Sequence, residues 1–294
     1  MTNQELMQKM REDMEMRGFS KYTKDSYELK AKDTIRYFKK PMEEVEIVEL
    51  RNYLLKYLKE ERKLSERSVN YYNSVIRFMY EVTMDKVINK KQLPMYRKRR
   101  VMKKVLTKEE LSAFFNACKN YKYKTIFMMI YGSGLRVSEA VNLRIQDIDS
   151  KKMRIVVETG KGGKDRYTVL PRTSLEMLRK YYKMYKPNHP EGYIFLNREG
   201  GKLTVERTRI FFRRYRRAAK LDEKFVVHSL RHSFATDLIE RGASIIDVKE
   251  LMGHSNIRST MEYIHVANLE LSVENPLDAF MKGAGDGENT RNIK

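Results

Sequence analysis

Two arginines, two histidines, a lysine and a tyrosine carry the chemistry this sequence offers. His228, Arg231, His254 and Tyr263 fall within one C-terminal stretch, HSLRHSFATDLIERGASIIDVKELMGHSNIRSTMEYIHV, while Arg136 and Lys161 lie far upstream. A guanidinium is a planar fork of donors that matches an anion with several oxygens, so a pair of them points to a phosphodiester. A phenol has a pKa near 10, so Tyr263 can serve as a nucleophile only beside positive charge and a proton acceptor. Zinc is the competing use of the histidines, because His228 and His232 have the i, i+4 spacing of helical metal ligands. Arginines beside them would repel a cation, and no carboxylate cluster or second cysteine accompanies them, so no metal is expected. The single cysteine, Cys118, sits with Phe114, Phe115 and Ala117 and reads as a small buried residue.

Local elements must bring these side chains together. His228 and Arg231 are three apart and share a helix face, with Leu230, Phe234 and Leu238 docking that helix and Gly242 stopping it. Ser244 and Asp247 open a second helix with Val248 and Leu251 on its apolar stripe, and Gly253 ends it just before His254. A third amphipathic segment is expected to turn Met261 and Ile264 inward. Upstream, Gly132 and Gly134 precede a helix in LRVSEAVNL whose first turn would carry Arg136, with Glu139 at i+3 as its partner. MRIVVET, GKGGKD and RYTVLP read as a β-hairpin with Lys161 and Lys164 at its glycine-rich tip. No GxxxxGK[ST] leads into a helix, which argues against nucleotide binding. The helix ERTRIFFRRYRRAAK is expected to bury Ile210, Phe211 and Tyr215 while Arg207, Arg209, Arg213, Arg214, Arg216 and Arg217 face a polyanion.

The 294 residues are long enough for two domains, and 60 Lys and Arg against 39 Asp and Glu give a net charge of +21. Such an excess goes beyond what solubility needs and implies a polyanionic partner. No apolar run approaches a membrane span and the polar start MTNQELMQKMRED lacks a secretory signal, so a cytoplasmic, nucleoid-associated protein with no membrane partner is expected. Residues 1–92 read as four helices built on Leu6, Met10 and Met14; Tyr27, Ile35 and Phe38; Ile47, Leu50, Leu54 and Leu58; and Tyr72, Val75, Ile76 and Met79. Tyr71 and Tyr72 with Arg67 and Arg77 read as core or solvated groups rather than base readers. Residues 93–105 hold Pro94 and the cations Arg97, Lys98, Arg99, Arg100, Lys103 and Lys104, the character of a phosphate-tracking linker. Thr107 and Glu110 then form a capping box that opens a second domain over 106–282. The last residues, 283–294, have the composition of a disordered tail.

The segments GSGLRVSEAVNL, ETGKGGKDR, HSLRHSFAT, LMGHSN and MEYIHV resemble, in content, order and spacing, the motifs of the tyrosine recombinases, the family of phage integrases and Xer-like enzymes. The resemblance spans nearly the whole chain. It implies a mainly α fold with a small antiparallel sheet: a SAM-like helical bundle that binds core DNA, followed by an α+β catalytic domain. It also implies roles. Arg136 and Arg231 would clamp the scissile phosphate with His254 as a third donor, Tyr263 would attack, His228 would assist as acid or base, Lys161 would protonate the leaving 5′ oxygen, and Glu139 would support them. Lys164 stands close enough to compete with Lys161. No cofactor is implied, because a 3′-phosphotyrosyl bond conserves the energy of the one it replaces. The implied partners are double-stranded DNA with an inverted-repeat site and a homo-tetramer that exchanges C-terminal segments, here through Leu269, Leu271, Leu277 and Phe280. The little sequence before Asn3 leads to an expectation of a simple recombinase without an arm-binding domain. A type IB topoisomerase, which nicks and reseals one duplex, and a non-catalytic DNA-binding protein are the rival readings.

Overall fold

A computed structural model describes residues 1–97, 104–158 and 165–264. The chain divides into two units, Met1–Arg100 and Val101–Lys294. Lys98, Arg99, Arg100, Lys161, Lys164 and the expected C-terminal exchange segment and tail lie outside the described residues.

The first unit consists of helices α1 (Asn3–Met16), α2 (Lys21–Phe38), α3 (Ile47–Asn52) and α4 (Glu66–Arg77). Both α3 and α4 run on with wider, π-type hydrogen bonding, through Tyr53–Glu61 and Phe78–Thr83 respectively. Helix α1 starts where Thr2 and Glu5 form a reciprocal capping box, and α2 and α4 start on Ser20 and Ser65, whose hydroxyls accept backbone N–H groups that the first turn leaves unbonded. The apolar residues at helical spacing close over one core that includes Leu6, Met10, Met14, Leu50, Leu54, Leu58, Tyr72, Val75, Ile76 and Met79. Helix α2 meets that core through Ala31 and Thr34, which are completely buried, while Tyr27, Ile35 and Phe38 pack around the margin. Tyr72 is a core residue whose hydroxyl donates to Asp33.

Residues 93–97, the start of the expected linker, lie against this bundle as a strap. The Asn70 side-chain amide pairs with the backbone of Tyr96 in both directions, donating to its carbonyl at 2.9 Å and accepting from its N–H at 2.8 Å. Asn73 donates to the carbonyl of Pro94 at 3.1 Å, and Arg77 donates to those of Ile88 at 3.0 Å and Leu93 at 2.8 Å. Side chains of α4 thus satisfy backbone groups of an irregular segment that has no ladder of its own.

The second unit contains α5 (Lys108–Ala117), α6 (Tyr121–Ser133), α7 (Val137–Val141), strands β1 (Ile148–Asp149), β2 (Arg154–Val157) and β3 (Arg166–Val169), then α8 (Arg172–Tyr185), α9 (Val205–Ala218), α10 (Val227–Glu240), α11 (Ile245–Met252) and α12 (Arg258–Met261). The strands form one antiparallel sheet in the order β1-β2-β3, with Arg154 opposite Val169 at the open end of the hairpin and Val157 opposite Arg166 at the end where the two strands connect. Strand β1 is an addition to the hairpin expected from sequence. Helix α6 is central: it packs against α8, α10, α7 and β3, and Ile126, Phe127, Met129 and Ile130 leave almost no surface exposed. The Thr107 and Glu110 capping box opens α5, and Cys118 is buried at its end.

Two helices differ in rotation from the sequence expectation. In α9 the buried residues are Thr208, Phe212, Tyr215 and Arg216, whereas Ile210 is 42% exposed and Phe211 only partly covered. Three consecutive apolar residues left the phase open, and Arg216 settles it by turning inward to donate to the carbonyls of Glu223 and Phe225. In α12 it is Thr260, with Tyr263 just past the helix end, that is buried, and Met261 is 48% exposed. A helix this short has no periodicity from which to read a face.

Among the described residues, no helix is long and apolar enough to cross a membrane. Replacing Asn70 by Ala should release the strap without unfolding the bundle. Hydrogen exchange of the Tyr96 amide should accelerate at least about fivefold, the equivalent of about 1 kcal/mol for the lost bond to that amide alone. Unchanged exchange would show that the Asn73 and Arg77 hydrogen bonds and the packing of Leu93 hold the segment without Asn70.

Candidate active site

The site lies where α6, α7, α10, α11 and β3 meet. Helix α6 ends at Gly134, whose φ of +63° is the left-handed stop that glycine adopts without strain. A Cβ there would come within 2.4 Å of the Phe234 ring, so glycine is also required by the closeness of α10. Arg136 follows in an extended conformation. It is the residue before α7 rather than part of its first turn, and Glu139, at the third position of that helix, accepts the Arg136 backbone N–H at 2.7 Å. Helix α11 ends at Gly253, φ +59°, where a Cβ would lie 2.6 Å from Cδ of Arg166. His254 follows, and its Nδ1 is 2.9 Å from the hydroxyl of buried Thr260.

One carboxylate organises the cations. Glu139 takes the Arg136 guanidinium at 2.7 Å and both terminal nitrogens of Arg166, at 2.9 and 2.7 Å. Nη1 of Arg231 stands 3.7 Å from the same carboxylate. Backbone carbonyls complete the set. Arg231 donates to Gly134 and Met252, Arg136 to Gly253 at 2.9 Å, and Arg166 to Leu251 at 3.0 Å. The arginines therefore bind the ends of α6 and α11, where carbonyls lack intrahelical donors and the helix dipole is negative.

Arg231 is the extreme case, with 1% of its surface exposed. Burial and the neighbouring charge of Arg136 lower its pKa to about 9, although Glu139 opposes the shift. Burial pushes the Glu139 carboxyl upward, but hydrogen bonds and charge from Arg166 and Arg136 more than reverse this and hold it at about 2. Three guanidinium groups against one carboxylate leave two positive charges in excess around a half-enclosed site. An anion supplied from outside is what such a set accommodates. A groove of about 700 Å³ opens beside it, lined by Arg136 and Arg144 but also by the carboxylates of Glu139, Asp147, Glu158 and Asp165, so the positive excess is confined to the arginine cluster itself.

Tyr263 is 1% exposed and packs with Phe234, Ala235, Ile239, Val248 and Met252. Burial raises its phenol to about 12, with Arg231 and Arg136 pulling the other way. Its Oη lies 2.7 Å from Nδ1 of His232, and its ring is nearly parallel to that of His254 at 6.2 Å between centroids. His228, exposed on the first turn of α10, places its ring 5.1 Å from that of His232. The structure thus brings Arg136, Glu139, Arg231, His254 and Tyr263 into one constellation. It adds two residues that the sequence did not assign to it, Arg166 and His232. The only signal for Arg166 was its register in β3, where it shares the inward face with Thr168 while Tyr167 and Val169 point out. Arg97 is exposed in the first unit, and Arg213, Arg214 and Arg217 are exposed on α9, Arg213 pairing with Glu206 at 3.1 Å.

Substituting Glu139 by Gln should cost about 3–5 kcal/mol at neutral pH, since it leaves buried guanidinium groups without their anion. The depressed carboxyl contributes stability that is fully present above its unfolded value of 4.5 and is lost as pH falls toward about 2. Urea midpoints of wild type and E139Q should therefore differ at pH 7 and converge as pH drops from about 4.5 to 2. A constant gap would contradict the ion-pair account.

Both units have counterparts among known proteins. The sequence profile of the phage integrase family matches residues 104–270, and that of the phage integrase N-terminal SAM-like domain matches residues 6–90. The tyrosine recombinase XerA of Pyrococcus horikoshii is 34% identical over 252 residues, 82% of this chain and 86% of that one. A putative integrase/recombinase of Sinorhizobium fredii, y4qK, is 33% identical over 264 residues, 89% and 84% of the two chains. In fold, the chain is similar to a lambda integrase bound as a dimer to a core site, with a TM-score of 0.72 at 18% identity, covering 90% of this chain and 95% of that one. With its matched domains spanning both units and its site built around a tyrosine and clustered arginines, the chain belongs to the phage integrase family of tyrosine recombinases, enzymes that cleave and rejoin DNA.

Proposed function

We propose that this protein is a site-specific recombinase that cuts one DNA strand with Tyr263 and exchanges strands through a 3′-phosphotyrosyl link and a Holliday junction. The observation that carries the reading is the surplus of guanidinium charge around Glu139 beside a tyrosine on which Arg231 and Arg136 both act. A phosphodiester brought into this set supplies the missing anion. Arg136, Arg231 and His254 then donate to its non-bridging oxygens, and those donors are fixed in place before charge develops on the phosphorane. Glu139 and Arg166 keep the clamp in position. Lys161 protonates the leaving 5′ oxygen, with Lys164 as the alternative on the same hairpin, and His228 assists proton transfer.

The substrate is a duplex with inverted recognition arms. Arg97, Lys98, Arg99 and Arg100 follow its backbone from the linker, and Arg213, Arg214 and Arg217 do so from α9, in keeping with the +21 charge of the chain. The active assembly is a homo-tetramer joined by exchange of the segment holding Leu269, Leu271, Leu277 and Phe280, and it works in the cytoplasm at the nucleoid.

A nicked duplex obtained by selection from randomised oligonucleotides should trap the protein covalently. Tyr263→Phe should abolish the adduct while retaining DNA affinity within about twofold, because only one hydroxyl is removed. An adduct formed by the Phe variant would refute the assignment. Arg136→Ala should slow cleavage by about 10²–10³-fold, the effect of losing one preorganised donor to the transition state. Equal losses of affinity and rate would make Arg136 a binding residue only. Arg136 is the better arginine to test, since Arg231 also holds the carbonyls of Gly134 and Met252 inside the fold.

A further inference from the structure

Helix α10 presents three polar side chains toward the site, and each points to a different task. Arg231 turns into the core to the ends of α6 and α11. His228 is exposed on the first turn. His232, one turn beyond His228, directs Nδ1 to the phenol oxygen of Tyr263 at 2.7 Å. The rings form a chain of contacts, 5.5 Å from Tyr263 to His232 at 49° and 5.1 Å from His232 to His228 at 79°. Family resemblance assigns acid or base work to His228, but the imidazole in hydrogen-bond contact with the nucleophile is that of His232. That contact lies at the heavy-atom distance general base catalysis needs.

We propose that His232 is the proton acceptor of the strand-cleavage step. This rests on Tyr263 being the nucleophile. In the step, the neutral imidazole carries its own hydrogen on Nε2 and accepts the Tyr263 proton at Nδ1. The Oη–H bond breaks as the Oη–P bond forms. The P–O5′ bond breaks with its electron pair on the 5′ oxygen, which takes a proton from a separate acid, Lys161 in the reading above. In rejoining, the 5′ hydroxyl attacks phosphorus and returns its proton to that amine, while the departing phenolate recovers its proton from imidazolium at position 232. A buried phenol, raised by its surroundings, is the kind of nucleophile that needs such an acceptor within contact. Charged and titratable groups facing the pair come from several elements: Arg231 on the same helix, Arg136 before α7, and Glu262 and His254 beside α12.

The test is single-turnover adduct formation on the selected nicked duplex, made with ordinary oxygen and with sulfur at the bridging 5′ position. A thiolate leaves without protonation, so sulfur rescues loss of a general acid but not loss of a base. His232→Gln keeps a hydrogen-bonding group at the position but does not take up a proton in this range. Rates of His232→Gln and His232→Ala should fall about 10²-fold or more on both substrates, with rates normalised to DNA-binding-competent protein. The decline of the wild-type rate between about pH 7 and pH 5, where an imidazole acceptor becomes protonated, should be absent in His232→Gln and persist in His228→Gln. A His232→Gln rate within threefold of wild type would reduce His232 to a positioning residue, and restoration by sulfur would assign it to the leaving group. Either result overturns the proposal. An adduct with Tyr263→Phe, or none with the wild type, would instead overturn the reading of the nucleophile on which it rests.

Discussion

A single carboxylate, Glu139, makes this site possible. Without it, Arg136, Arg166 and Arg231 would be three like charges gathered in a poorly hydrated space, and mutual repulsion with desolvation would open the site. With it, the charge is reduced but not cancelled, and the remainder suits an anion from outside, the phosphodiester of the proposed mechanism. The hydrogen bonds and the longer ion pair to Glu139 tie α7, β3 and α10 to each other, so the electrostatic arrangement is also a packing arrangement.

The carbonyls at the ends of α6 and α11 extend this logic. Gly134, Leu251, Met252 and Gly253 offer acceptors that their helices cannot bond internally, and the arginines occupy them. Each guanidinium is thereby fixed by a neutral dipole on one side and by shared negative charge on the other. Such fixation matters for phosphoryl transfer, since donors that must reorganise during the reaction give back much of what they contribute. The two left-handed glycines allow these helix ends to come close enough for the arrangement to exist.

Much of the site was legible in the sequence because its members sit beside strong punctuation. Gly134 precedes Arg136, Gly253 precedes His254, and the i+3 spacing of Glu139 from Arg136 named an ion pair that is present. Arg166 was not legible, because its partners come from α7 and α11 and a strand sequence RYTV gives no reason to turn an arginine inward rather than a tyrosine. His232 was noticed only for its spacing to His228. Its contact with Tyr263 depends on how α12 docks, which no local pattern encodes. The helix phases of α9 and α12 failed for related reasons, one from too many adjacent apolar residues and the other from too few turns. In the first unit, long helices with regular apolar spacing made the core plain, but the strap over residues 93–97 relies on side-chain-to-backbone bonds from Asn70 and Asn73 that periodicity does not register.

The bonds that close the site are distant in sequence. Arg231 reaches Gly134 across 97 positions, Arg136 reaches Gly253 across 117, and the backbone of Leu106 is held by Ser233 across 127. Contacts of this range form late, after the intervening chain has paid its loop-closure entropy. During synthesis, the arginines, their carboxylate and the first histidines leave the ribosome well before Tyr263 does. In the proposed mechanism a nascent chain therefore exposes a basic surface to nucleic acid before it possesses its nucleophile, and cutting activity arises only when translation has delivered Tyr263 and the domain has closed around it.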